Sequence, residues 1–334
     1  MAEAPEGSSK RRRAETNDSP DLSSLQRSSE FWFSDGNIVL IAGNTAFRVY
    51  QGLLSRQSQV FHDMFAIPQP QDAEHIEGCP VVRLSDDASD LICVFRALLN
   101  GTNYFPRGTR TPIATIASLI RIGHKYEMLT FRDQALKVLR ELFPIELPGS
   151  FTTFTTYLED SPVLMDEADT ITVVNLARLT DTTSILPLAL YGCCQLQQKL
   201  ITGVTREGRH EELSRSDLLA CIEGKDRLAL ARGRAVNSIF VRMKCYSGFG
   251  QACSINLQNI TRLALDYATL KPPIAAALDS WTGFIDYMLE HHKPCEECLS
   301  ALRLREKTVR RNMWKSLPEM FNLIVEGWPE NCDE

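Results

Sequence analysis

No apolar run in the 334-residue chain approaches the length needed to cross a bilayer, so no membrane-spanning helix is expected within it. The opening residues are polar and charged, so no secretory leader is expected and the chain is expected to be intracellular. Net basic charge is missing as well. Lys and Arg number 36 against 42 Asp and Glu, for a formal charge of −6. Phosphate contacts need a net basic face, so nucleic acid is not expected as the general partner. Catalytic signatures are scarce: the chain has no GxSxG elbow and no HExxH pair. The stretch GVTREGRH (Gly203 to His210) spaces its glycines as a phosphate loop does, but Arg209 and His210 stand where Lys and Ser or Thr belong. It is expected to be a loop. GFGQAC lacks the third glycine of a dinucleotide fingerprint. The lone His62, His75 and His124 read as surface residues, and Asp86 and Asp87 as acids at a helix start. No fixed-period repeat is present. The reading is therefore not an enzyme.

What the chain does have is thiol. Ten cysteines in a reducing compartment are expected to be buried thiols or metal ligands rather than a disulfide framework. The strongest grouping is Cys245 and Cys253, separated by seven intervening residues within CYSGFGQAC, with the CEEC pair Cys295 and Cys298. Thiolates suit a tetrahedral zinc ion, and a CxxC entering a helix chelates from one side. Four thiolates would leave no open coordination position, so such a zinc is structural. The competing reading is four independent cytosolic thiols, with His291 and His292 nearby as alternative ligands.

Composition divides the chain. Residues 1–29 are rich in Ser, Pro and charge and predict a disordered tail. Within it Lys10, Arg11, Arg12 and Arg13 form a basic run, read either as a solvated patch or as a nuclear import signal. NIVLI and GNTAFRVY then predict a hairpin, residues 51–56 and 59–65 two short helices, and VVRL a further strand. IPQPQDAEHIEGCP between them reads as a loop. Leu91, Val94, Phe95, Leu98 and Leu99 stand at helical spacing ahead of Gly101, and two more helices are expected over 111–126 and 131–143.

The run F-R-V-x-x-x-x-L-S-x-x-S-x-V-F-x-D-M-F, with Leu54, Ser55, Ser58, Phe61, Met64 and Phe65, resembles the strand-to-helix core of a BTB/POZ domain. VFRALLNGTNY and LIRIGHKYEM with FRDQALKVL are similar to that family's next helix and closing helical pair. With FWFSDGNIVL ahead and a long helical remainder behind, the layout resembles BTB-containing proteins abundant in mushroom-forming fungi. The resemblance implies a non-enzymatic protein–protein interaction module, a scaffold or adaptor that forms a homo-oligomer. Its interaction surface is expected at Phe31, Trp32, Phe33, Tyr50, Gln51 and Leu54. Many members build a charged pocket at the dimer interface from an acidic residue and a basic pair. Those positions fall here on Asn37 and on Tyr50 and Gln51, so the usual pocket is absent or altered. Cullin-binding members carry an apolar-x-acidic motif after the helix ending at Asn100. GTNYFPRGTRTP has none, which leaves cullin binding open.

The expected fold class is thus α+β: a tail (1–29), a BTB/POZ domain (30–147) and an all-α domain (148–334) with a zinc subsite at 245–298. In the helical part Asp169 is expected to cap one helix and Gly224 to end another. The last long helix carries Arg303, Arg305, Lys307, Arg310, Arg311 and Lys315. Such a run is a solvated face in one reading. In the alternative it makes the protein a nuclear, zinc-containing transcription regulator touching nucleic acid.

Overall fold

The computed structural model describes residues 25–68, 73–101, 108–206, 208–241, 245, 250–270 and 275–330. The basic run Lys10 to Arg13 lies outside the described residues. The chain is mixed α and β and divides into two compact units, one of residues 1–57 and 61–88, the other of 58–60 and 89–334. No described helix is long and apolar enough to cross a membrane.

In the first unit, five strands form one sheet in the order β1-β3-β2-β5-β4. They are β1 (Gln26–Trp32), β2 (Ile38–Ala42), β3 (Thr45–Val49), β4 (His75–Ile76) and β5 (Cys79–Leu84). The expected hairpin is β2–β3, in register from Ile38↔Val49 to Ala42↔Thr45. Its two-residue turn places Gly43 at φ +54, which glycine adopts without steric cost. β5 runs parallel to β2 on the other side. A strand flanked on both sides and covered on both faces needs a continuous apolar run, and all five residues of β2 are buried. Helices α1 (Gln51–Gln57) and α2 (Gln59–Ala66) follow β3, burying Leu54 and Phe61.

Two strands of this first unit depart from the sequence expectations. β1 occupies residues 26–29, assigned above to the tail, and pairs parallel with β3. Its register shifts between Arg27 and Trp32, and the Ser28 hydroxyl accepts the Phe31 backbone N–H at 3.1 Å. Only Ser28 and Phe31 are buried, so the segment lacks the two-residue alternation that marks a strand. β4 lies in the expected loop and pairs with β5 across Glu77 and Gly78, both at positive φ. Positive φ at both central positions is the requirement of a type I′ hairpin turn.

The second unit is mainly helical. It contains α3 (Ala88–Asn100), β6 (Thr111–Pro112), α4 (Ile113–Lys125), α5 (Leu129–Leu142), α6 (Phe154–Glu159), β7 (Val163–Leu164), α7 (Thr170–Leu179), α8 (Leu186–Cys193) and α9 (Lys199–Thr202). Then come β8 (Val204–Arg206), β9 (Arg209–Glu211), α10 (Arg215–Phe240), α11 (Gly250–Leu270), α12 (Thr282–His292), α13 (Glu296–Lys315) and α14 (Leu317–Met320). Every residue of α8 is buried, with Pro187 in the first turn where its missing N–H costs no hydrogen bond. α4 packs on α5 and α7, and α10 on α11 and α13.

The region after residue 148 is not all-helical. β7 pairs with β6, and the described residues of GVTREGRH carry β8 and the start of β9, which pair antiparallel, rather than an open loop. Contacts also cross position 147. The Trp314 indole N–H donates to the Ile145 carbonyl at 2.8 Å, and the Tyr157 hydroxyl to the Leu142 carbonyl at 2.9 Å. Asp169 makes no side-chain cap on α7. It closes a reciprocal capping box with Asp166 on the preceding 3₁₀ turn and accepts from Arg206 at 2.8 Å.

Gly224 does not end a helix: α10 runs through it for 26 residues. A Cβ there would lie 2.4 Å from the Phe321 ring, so the glycine lets that ring seat against the helix. Gly224→Ala should therefore destabilise the protein by about 1–3 kcal/mol through overpacking. That sign opposes the roughly 1 kcal/mol gain in helix propensity. Urea unfolding checks it, and a neutral or stabilised variant would show that Phe321 does not pack there.

Candidate metal centre

Cys295 occupies the N-cap position of α13 in extended conformation (φ −67, ψ 158), and Cys298 follows in the first helical turn. Cys253 lies in the first turn of α11, and Cys245 precedes that helix. The four sulfurs all lie within 4.8 Å of one another. Three of the pairs, Cys245–Cys295, Cys253–Cys295 and Cys253–Cys298, stand at 3.9 Å. Metal–sulfur bonds of about 2.3 Å place the corners of a tetrahedron roughly 3.8 Å apart, so these separations suit one central ion.

The site is dry on one side and open on the other. Cys298 is fully buried and Cys253 is 7% exposed, packed with Leu257, while Cys245 and Cys295 are half-buried. Burial pushes the Cys253 thiol up from its ordinary value. Two helix starts meet at the sulfurs, with Cys253 in the first turn of α11 and Cys295 at the N-cap of α13. The alternative ligands stand apart from the group: His291 Nδ1 meets the Tyr287 carbonyl at 2.8 Å, and its ring lies over Tyr287 at 4.0 Å. Among the described residues this is the one cluster of three or more His, Cys, Asp or Glu able to hold an ion.

Three further thiols make a contrast. Cys193, Cys194 and Cys221 are fully buried in the α8–α10 core. Burial holds the Cys193 thiol well above its usual range. They act as small apolar residues.

The residues expected to form an interaction surface separate into two groups. Phe31 and Leu54 are buried within the first unit and contribute to its core. Trp32, Phe33, Tyr50 and Gln51 are half-buried. Phe33 stacks on Tyr50 at 5.1 Å, the Tyr50 hydroxyl donates to Asp35 at 2.7 Å, and the Gln51 backbone N–H donates to Asn37 at 2.8 Å. The hydrogen bond to Asp35 raises the Tyr50 hydroxyl above its ordinary value. Arg27 lies over the Trp32 ring at 4.6 Å.

The basic run on α13 is not one face. Arg310 turns inward and donates to the carbonyls of Leu278 and Phe151 at 3.0 and 2.5 Å, with Glu306 at 3.4 Å. Arg303 pairs with Asp286 at 2.8 Å, and Arg305 reaches the Ile239 carbonyl at 3.5 Å. Lys307 and Arg311 remain on the exposed side, and Lys315 is half-buried.

Sequence reasoning missed the charges that hold the β8–β9 hairpin. Asp90, buried in the first turn of α3, accepts from Ser118 at 2.6 Å and from Arg209 at 2.8 Å. Arg121 pairs with Glu211, which also accepts from Asn175 at 3.3 Å. Arg206 binds Asp166 and Asp169. The Asp90–Arg209 partners lie 119 residues apart, beyond the reach of any local pattern.

A scan against protein-family models finds no match, and a search of curated proteins finds no relative of significant similarity.

Thiol labelling separates the two kinds of cysteine. In metal-free native protein an alkylating reagent should modify Cys245 and Cys295 well before Cys193, Cys194 and Cys221. Cys193, Cys194 and Cys221 should stay unmodified until the fold opens, because burial blocks access to their sulfurs. Native-state labelling of Cys193 at the rate of Cys295 would contradict this assignment.

Proposed function

We propose that the chain is a non-enzymatic protein–protein interaction protein, a scaffold or adaptor. In this reading the N-terminal part is of BTB/POZ type and self-associates, and the C-terminal part is held by one structural zinc ion. The observation that carries the interaction reading is the order of elements from β2 to α5. Apart from the two-residue strands β4 and β6, a hairpin leads into two short helices, then a strand parallel to the first, a helix and a helical pair. This is the order that the resemblance implies. The zinc reading is supported by four sulfurs at tetrahedral spacing. Four thiolates complete the coordination of the ion, which makes its role structural. Nuclear import through Lys10 to Arg13 belongs to the same proposal. The nucleic-acid alternative is not carried further, since Arg310 is committed to Leu278, Phe151 and Glu306.

Protein purified without added metal should contain one zinc per chain by elemental analysis, and a Cys295→Ser, Cys298→Ser variant should contain none. Burial keeps the metal-free Cys253 protonated, and binding must displace that proton. Affinity should therefore fall as pH is lowered. Zinc well below one per chain, or unchanged zinc in the double variant, rejects the site.

Self-association is tested separately by sedimentation of the full chain. With the usual charged pocket altered, assembly should rest on apolar and aromatic contact and respond weakly to salt. A dimer at roughly tens of micromolar that persists in moderate salt is expected. A monomer, or dissociation by salt alone, rejects it.

A further inference from the structure

We propose that the four-cysteine centre is also an oxidation-sensitive clasp in which Cys245 and Cys295 form a disulfide and release the ion. This rests on the zinc reading of the same four sulfurs. It arises from their unequal burial. Cys253 and Cys298 face the apolar side with Leu257, whereas Cys245 and Cys295 form the half-buried edge with their sulfurs 3.9 Å apart. Neither half-buried cysteine is fixed inside a helix: Cys245 precedes α11, and Cys295 is the extended N-cap of α13. Side-chain rotation can bring such a pair to the roughly 2 Å of a sulfur–sulfur bond.

The oxidant is hydrogen peroxide, which reacts with thiolate rather than thiol. A bound metal holds its ligands deprotonated at neutral pH, so the accessible edge carries the reactive form. One thiolate of the pair attacks the O–O bond, becoming a sulfenic acid and releasing hydroxide. The second attacks that sulfur, forms the S–S bond and expels the oxygen as a second hydroxide. The two sulfurs lose two electrons to the peroxide, and two protons from solvent turn both hydroxides into water. The ion is left with Cys253 and Cys298 alone and departs as these take up protons. The segment before α11 and the start of α13, 50 residues apart, thus stay tied in both states. The tie is a metal ion when reduced and a covalent bond when oxidised.

The test uses the full chain, with its zinc content measured first. Hydrogen peroxide is then titrated in the presence of a chromogenic zinc chelator, remaining thiols are alkylated, and disulfides are mapped by peptide mass spectrometry. The expected result is one zinc freed per disulfide formed, with Cys245–Cys295 dominant. A thiol reductant should restore zinc uptake. Cys245→Ala, if it keeps its zinc, should release it at least about tenfold more slowly. If that variant loses its zinc, the disulfide map of the unaltered chain decides. Absence of zinc before the oxidant overturns the metal reading. Zinc that is present but retained under peroxide, or released with Cys295–Cys298 or Cys253–Cys298 as the dominant bond, overturns the oxidation proposal alone.

Discussion

The second unit depends on burying an ion pair in the middle of α13. Glu306 is 5% exposed and Arg310 is 9% exposed. Charges removed from water need both a partner and hydrogen bonds to their remaining groups. Arg310 meets that requirement with Glu306 and the carbonyls of Leu278 and Phe151, and Glu306 with Ser280 and the Trp281 backbone N–H. Each of those bonds fixes a segment far away in sequence. The pair sets where the chain near Phe151 and the lead into α12 must run. A turn later, Trp314 donates to Ile145 and stacks on Trp328 at 5.7 Å.

With its middle and end committed in this way, α13 presents its N-terminus as a fixed platform. Cys295 and Cys298 sit there, and Cys253 arrives from α11. A metal ion would bind α11 and α13 to each other at one end, while the buried ion pair works nearer the other. The hairpin β8–β9 repeats the logic with charges at its margins. Three of its residues, Arg206, Arg209 and Glu211, reach acids and bases on α3, α4 and the turn before α7. Charged residues in this unit thus act as long-range ties, and the apolar helices α7 and α8 fill the space between them.

Burial also divides the chemistry of the cysteines. Cys193, Cys194 and Cys221 are sealed in helical core, where neutral thiols pack as apolar groups. At the centre near α13 the thiols border both core and solvent. The same residue type is inert in one place and a ligand candidate in the other because of access and clustering.

Much of this was legible without coordinates. NIVLI, the Gly43–Asn44 turn and the alternation through Val49 determine a hairpin by local sterics and patterning. The 3.6-residue spacing through Leu91 to Leu99 likewise marks a helix, and CEEC marks a ligand pair at a helix entrance. These signals are local because backbone preference and amphipathic periodicity act over a few residues. Strand β1 was hidden because its irregular pairing erases alternation, and β8–β9 because its stability comes from Asp90, Arg121 and Asp169. Gly224 carries the same symbol as a helix stop, and only the Phe321 ring against it makes it a mid-helix contact. The sequence by itself determined the β2–β3 hairpin, the strongly periodic helices and which thiols were available. The tertiary structure decided that Cys245 and Cys253 meet the CEEC pair and that Arg310 points inward, because both follow from contacts between residues that no local pattern connects.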